Sequence, residues 1–447
     1  TPSTFKYIGF LRKYNRKKQF SKNYCNSAQS QLYYAHRGCI RMIIKNVKVY
    51  TEEQKFVPGE IVVLGDRITE VRADGKKRQT AAEALETEPS VNGFSEAEEA
   101  EEVVVDGEGA YAIPGLIDLH FHGCVGADVC DGTPEALKKI AQYEASVGVT
   151  AIAPATMTLP VEELEQILQN AAAYRKTQKS GEFEADLLGL NMEGPFISPV
   201  KKGAQDEKNI VPCNVEIAKR FLKASEGLVK FIGIAPEESS EAVAFIQEMK
   251  DSVDISLAHT NADYDTAMAA FTAGANHAVH LYNAMPAFTH RAPGVIGAVA
   301  DSKHVMAEII CDNVHIHPAV VRATFTMMGA DRMILISDSM RATGMPDGTY
   351  TLGGLDVSVN GNRATLVDGG ALAGSVTNLM DCMRTVVKVM EIPLETAVAC
   401  ATANPARCLG VYDTYGSITE GKKADIVLLD EDLELKMVIK DGQLPFL

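Results

Sequence analysis

No run of about 18 consecutive apolar residues, the length a membrane-spanning helix needs, occurs anywhere in the 447 residues, and no apolar h-region leads into a small-residue cleavage site. Neither a membrane span nor a secretion signal is therefore expected. The chain also lacks any surplus of positive charge, since 43 Lys and Arg face 59 Asp and Glu, for a net −16. Such a surface does not grip the phosphates of nucleic acid or of an anionic membrane. The nine cysteines include no Cys-x-x-Cys pair and no spacing suited to a structural zinc, which excludes a disulfide framework and points to reduced packing thiols in the cytoplasm.

What is present is the material of a packed globular protein. With 46% hydrophobic and 23% charged residues, the chain can bury one large catalytic domain and a smaller companion. Its charge is unevenly spread. Residues 1–41 hold nine basic side chains and no acidic one, without a strand or helix period, and are expected to be a disordered leader rather than an RNA-binding arm. Residues 81–102 hold eight glutamates and no basic residue, a composition that cannot bury enough apolar surface to order itself and is expected to be a solvated insertion.

Around that insertion, residues 42–113 alternate as in MIIKNVKVY and GEIVVLGDRITEV, and 413–447 end in a similar strand-turn-strand pattern. Together they are expected to form a small flanking β-sandwich domain built from both ends of the chain. Between them, residues 114–412 carry eight short apolar runs: 115–122, 149–157, 187–193, 230–237, 254–260, 277–283, 304–312 and 332–338. Amphipathic segments such as 133–147, 160–179, 238–250 and 317–329 separate them. That rhythm predicts an α/β fold, a (β/α)8 TIM-like barrel. Residues 349–371 are expected to form a hairpin inserted after the eighth strand.

In such a barrel the chemistry sits at the C-terminal strand ends. There the sequence places His120 and His122 on strand one, Glu193 on strand three, His259 on five, His280 on six and Asp338 on eight. Residues at i and i+2 of a strand face the same way, so His120 and His122 can share one metal. Each residue alone has an ordinary structural explanation. Four histidines and two acids at successive strand ends do not, and imidazole with carboxylate suits zinc, iron, manganese, cobalt or a related divalent ion. His315, after strand seven, is a further candidate. His36, His277, His290, His304 and His317 read as structural or solvated.

At these residues the sequence resembles the amidohydrolase superfamily, and within it the deacetylases of phosphorylated amino sugars. The motifs are PGLIDLHFHG (114–123), EGPFISPVKKGA (193–204), AHTNA (258–262), HLYNAMP (280–286), DNVH (312–315), ISD (336–338) and LAGS (372–375). The resemblance implies hydrolysis of the acetamide of N-acetylglucosamine 6-phosphate, with the galactosamine isomer as the alternative. It implies that Glu193, His259 and His280 hold a principal ion, zinc first among the candidates. His120 and His122 would hold a second ion bridged by Glu193, giving one or two ions per subunit. Asp338 is then the general base and acid, while Asn283, Ala284, Arg291 and His315 contact the sugar phosphate and Leu372, Ala373 and Gly374 form a further substrate loop. Some members have a carbonyl-polarising histidine after Lys-Lys-Gly-Ala. Here Ala204 is followed by Gln205; both are expected to contact the substrate, and the Gln205 amide can donate a hydrogen bond to the acetyl carbonyl but carries no charge, so that more of the polarisation falls to the metal. A homodimer is implied as well. Two other classes stay open: a cyclic amidohydrolase of the dihydroorotase type, although strand four lacks the terminal lysine such enzymes carboxylate, and a non-catalytic binding protein of the same fold.

Overall fold

The computed structural model describes residues 40–73 and 102–444. The basic leader and the acidic insertion therefore lie outside the described residues, apart from Ile40, Arg41 and Glu102. The chain divides into two compact units, one formed by residues before 116 and after 412, the other by Leu116–Tyr412. Among the described residues no helix is long and apolar enough to cross a membrane.

In the first unit the expected sandwich takes the form of one six-stranded mixed sheet. Its order is Leu435–Ile439, Ile426–Leu429, Glu102–Pro114, Arg41–Tyr50, Phe56–Leu64, Arg67–Ala73. Alternation sends Met42 and Ile44 to the core. A bulge at Asn46, whose φ is 55°, then adds one residue, so that Val47 and Val49 take over the inward side. The bulge works because Gly107 lies opposite: a Cβ there would stand 2.3 Å from Val47 Cγ1. Ile61, Val63, Ile68, Val105, Ile426 and Ile439 complete one apolar cluster.

The second unit is the barrel. Its parallel strands are Leu116–Asp118, Val149–Ile152 with Ala155–Thr156, Asp186–Leu187 with Leu190–Phe196, Val229–Ile234, Asp254–Leu257, His277–Ala278, Met306–Ile310 and Met333–Ile336. They are buried along nearly their whole length, as parallel strands covered on both faces must be. No strand ladder joins the eighth strand to the first. The ring is closed past their ends, where Asp338 N donates to His120 O at 3.0 Å and His122 N donates to Ser339 O at 2.7 Å. Local sequence starts the outer helices: Thr133 caps Pro134–Ser146, Asn214 caps Val215–Ala224, Asp263 caps Tyr264–Ala273 and Asn378 caps Leu379–Lys388, each accepting a backbone N–H of the first turn.

Two sequence expectations change. The 349–371 hairpin is a three-stranded antiparallel sheet, Gly348–Leu352, Leu355–Asn360 and Arg363–Leu366, because a second turn at Gly361 reverses the chain again. The sixth apolar run is a strand only over His277–Ala278. From His280 onward the backbone enters the left-handed region repeatedly, with φ of 26° at His280, 77° at Tyr282 and 51° at Ala284, and cannot stay in a sheet.

Candidate active site

The strand ends bring His120, His122, Glu193, His259, His280 and Asp338 to one place, all of them buried. Glu193 stands at the centre. Its Oε1 is 2.9 Å from His280 Nε2, 3.0 Å from His259 Nε2 and 3.3 Å from His120 Nε2, while its Oε2 is 3.4 Å from His122 Nε2. Asp338 Oδ1 lies 3.3 Å from His122 Nε2 and 4.0 Å from His120 Nε2. His259 and Asp338 share with His280 a positive φ, 44° and 49° respectively. Such conformations cost about 1–3 kcal/mol each and persist where the surroundings fix them.

The donor chemistry tests whether a metal fits. His259 Nδ1 is 2.9 Å from Lys201 O, His122 Nδ1 is 3.0 Å from Ala155 O, and His120 Nδ1 is 2.8 Å from Glu308 Oε2. Carbonyl and carboxylate oxygens only accept, so each Nδ1 carries the hydrogen and each neutral ring turns a bare Nε2 inward. Those lone pairs meet the acceptor-only oxygens of Glu193 and Asp338, and His259 Nε2 is only 3.2 Å from His280 Nε2. Lone pairs converging at such distances require positive charge among them. Burial alone would push His120 and His259 toward neutrality, yet the carboxylates of Glu308 and Glu193 outweigh it, and both imidazoles are held above their ordinary range. Protons or a divalent ion can meet that demand, and the ligand atoms fit the ion. Five of the six fall into two overlapping groups, His120–Glu193–His280 and His120–His122–Asp338, within each of which the donor atoms lie within 4.8 Å of one another, and His259 Nε2 adjoins the first at 3.0 Å from Glu193 Oε1 and 3.2 Å from His280 Nε2.

Asp338 is held ionised. Burial would raise its carboxyl, but in the ion-free site, where protonated His122 and His120 carry the positive charge, the hydrogen bond and charge of His122 with the charge of His120 bring it below the ordinary carboxylate range.

The remaining sequence-selected residues divide. Gln205 is buried against Glu193, its Nε2 at 2.6 Å from Glu193 Oε2. Ala204 is buried beside it in an apolar cluster with Met157, Met340 and Ala373. Gly374, at φ 63°, packs so tightly on the Asp338 turn that a Cβ would stand 3.0 Å from Asp338 O, and Ala373 and Leu372 tie this stretch to the inserted sheet. Asn283 and Ala284 are half-buried on the loop after His280, where Ala284 O accepts from Thr260 N at 3.1 Å. His315 is half-buried and bound through Nδ1 to Asp312 Oδ2 at 2.7 Å. Arg291 does not join the cluster; it is exposed and meets the imidazole of His290.

One residue escaped the sequence reading. Glu308, on the seventh barrel strand and fully buried, accepts from His120 Nδ1 and, at 3.0 Å, from His280 N; its other oxygen is 3.4 Å from Asn191 Nδ2 and 3.4 Å from His277 Nε2. It thus links the side chain of one candidate ligand to the backbone of another. Its signal was available: a lone acid inside the apolar run Met-Ala-Glu-Ile-Ile.

The model of the amidohydrolase family matches residues 111–444. The chain belongs to the amidohydrolase family. This amidohydrolase is 34% identical over 407 residues to an N-acetylglucosamine-6-phosphate deacetylase of Bacillus subtilis (strain 168), covering 91% of its own length and 97% of the relative. To an N-acetylgalactosamine-6-phosphate deacetylase of Escherichia coli O157:H7 it is also 34% identical, over 74% of its length and 86% of the relative. Among solved structures it is similar to an N-acetyl-D-glucosamine-6-phosphate deacetylase variant from Mycobacterium smegmatis in complex with N-acetyl-D-glucosamine-6-phosphate. The TM-score is 0.78 at 29% identity, over 91% of this chain and 99% of that one. The barrel and the additional terminal sheet of the amidohydrolase are those of this fold.

Proposed function

We propose that this amidohydrolase hydrolyses the acetamide of N-acetylglucosamine 6-phosphate, giving glucosamine 6-phosphate and acetate. The observation that carries this reading is the convergence of Glu193, His259 and His280 on one point, with Asp338 facing it across the His120–His122 pair. Glu193, His259 and His280 would hold the principal ion and His120 with His122 a second, zinc first among the candidates before iron, manganese or cobalt. Such an ion supplies Lewis acidity, lowering the pKa of a water from about 15.7 toward about 7 and polarising the acetyl carbonyl.

The protein's own residues do the rest. Asp338, ionised at neutral pH, accepts the proton of the attacking water and returns it to the leaving amine. Lys201 O, Ala155 O and Glu308 fix the tautomers of His259, His122 and His120, so their Nε2 atoms stay available as ligands. Asn283, Ala284, Ala204 and the Leu372–Ala373–Gly374 stretch form the sugar side of the pocket. The phosphate is met by Arg291, whose planar fork suits phosphate oxygens, and by His315, which Asp312 holds above its ordinary pKa against the effect of burial. A homodimer and a cytoplasmic location belong to the same reading.

The Escherichia coli relative supports one second reading, the galactosamine isomer as substrate. Acetate release should be compared for N-acetylglucosamine 6-phosphate, N-acetylgalactosamine 6-phosphate and, for ring opening, dihydroorotate. The highest kcat/KM is expected for the glucosamine derivative. A higher value for the galactosamine isomer would move the assignment to it, and turnover of dihydroorotate alone would overturn both.

A further inference from the structure

The two oxygens of Glu193 have different neighbours, and one neutral side chain determines which faces which. Oε1 is directed at His259, His280 and, at 3.3 Å, His120, while Oε2 is nearest to His122 and to Gln205, whose Nε2 lies 2.6 Å away. The opposite end of the same amide is also fixed, because Gln205 Oε1 accepts from Thr158 N at 2.7 Å. A backbone N–H can only donate and a carboxylate can only accept, so both contacts orient the amide the same way. The holder is itself held: Thr158 Oγ1 donates to Glu193 O at 3.2 Å, Asn209 Nδ2 donates to Thr158 O at 3.3 Å, and Gln205 N donates to Lys202 O at 3.0 Å. Gln205 is only 2% exposed.

This geometry leaves the amide little to offer a substrate carbonyl. One hydrogen of its NH2 goes to Glu193, and the other is directed at Met157 Sδ, 3.7 Å away. We propose that Gln205 is a positioning residue, holding Glu193 Oε2 toward His122 and leaving Oε1 to His259, His280 and His120, so that one carboxylate serves two ions. An oxygen has lone pairs for both a hydrogen bond and an ion, and a neutral donor adds no positive charge to repel that ion. The inference rests on the metal-dependent reading above.

The test is titration of the chelator-stripped full-length chain with Zn2+ by calorimetry, without sugar, for the parent, Gln205→Ala and Gln205→Met. The methionine variant keeps the volume and removes the donor, so it decides the matter if the alanine variant does not fold. The parent is expected to bind two ions. Both variants should bind one of them at least tenfold more weakly, with a changed Co2+ absorption band, and excess metal should restore most of the lost kcat with little change in KM. A parent that binds a single ion overturns the proposal. So do variants that bind both ions as the parent does, whether their kcat is unchanged or falls and is not restored by excess metal; a fall without restoration assigns Gln205 to the carbonyl. Because the titration needs no substrate, a parent inactive on the sugar would overturn the proposed reaction while leaving this result readable. Unchanged titrations with normal acetate release would do the reverse.

Discussion

Replacing Glu308 by glutamine tests how far the site depends on a side chain no substrate reaches. The carboxylate collects two donors on Oε2, His120 Nδ1 at 2.8 Å and His280 N at 3.0 Å. An amide oxygen can occupy that position and keep both bonds with little steric change, while its NH2 replaces the oxygen that accepts the long bond from Asn191 Nδ2 at 3.4 Å. What disappears is charge and that one weak hydrogen bond. Burial would raise the Glu308 carboxyl, but the charges of His120 and His277 outweigh it and keep the group ionised, and a charge-assisted hydrogen bond is about twice as strong as a neutral one. With a neutral partner His120 Nε2 becomes a weaker ligand. Loss of such a partner costs roughly 10–100-fold in metal affinity, or about 1.4–2.7 kcal/mol. Glu308→Ala is the harsher change, since it strands buried donors at about 1–3 kcal/mol each and opens a cavity. The assay is Zn2+ titration of the chelator-stripped protein, with the melting of the metal-free form as a control for folding. If Glu308→Gln binds metal within twofold of the parent while His120→Ala binds it far more weakly, the orienting role is wrong.

Three further outcomes follow from other parts of the molecule. Asp338→Asn should retain its metal content and lose about 10²- to 10⁴-fold in kcat for acetate release; near-parental turnover would remove Asp338 from the chemistry. In the first unit, buried Lys440 donates to Asp441 Oδ1 at 2.7 Å and lies 3.4 Å from Asp425 Oδ1; Asp441 also keeps Lys423 at 2.6 Å, so Lys440→Met should cost about 1–3 kcal/mol in denaturant unfolding at pH 7. Because Lys440 and Lys423 outweigh burial and hold the Asp441 carboxyl well below its ordinary range, that stabilisation is present above pH about 4 and is lost on further acidification; a penalty that grows in acid would contradict it. Glu144 is buried on the first barrel helix with no cation against its carboxylate among the described residues, and burial together with the charge of Asp118 outweighs a hydrogen bond from Cys124 and raises its pKa. The folded state thus keeps a proton that the unfolded state releases above about pH 4.3. Parent stability should fall as pH rises, and Glu144→Gln should gain on the parent between pH 5 and pH 8 in thermal melts; a constant difference would refute the assignment.

The barrel was legible because each strand is a short apolar run bounded by turns, and a buried parallel strand has almost no other way to look. The residues of the candidate site were legible for the same reason: polar residues such as His120, Glu193 and Asp338 stand out directly after runs like LLGLNM and RMILIS. Less readable was whatever depends on neighbours far apart in the chain. Glu308 has an ordinary explanation on its own strand, and only the fold brings it to His120, 188 residues away. Gln205 was visible as a departure from a motif, but nothing in the sequence says which end of its amide faces Glu193. The early end of the sixth strand was hidden because the positive φ values after Ala278 belong to histidine, tyrosine and alanine, residues that do not advertise that conformation as glycine does. The third strand of the inserted sheet was masked by the shortness of the turn at Gly361.

The account's central claim is that an ion held by Glu193, His259 and His280, with Asp338 as proton carrier, lets this chain cleave a sugar acetamide. Its most direct test is acetate release from N-acetylglucosamine 6-phosphate by the chelator-stripped protein before and after Zn2+ is restored. Release of one acetate per glucosamine 6-phosphate, absent from the stripped protein and regained with metal, is the predicted result. Equal release with and without metal, or none from protein shown to hold its ion, would contradict the account.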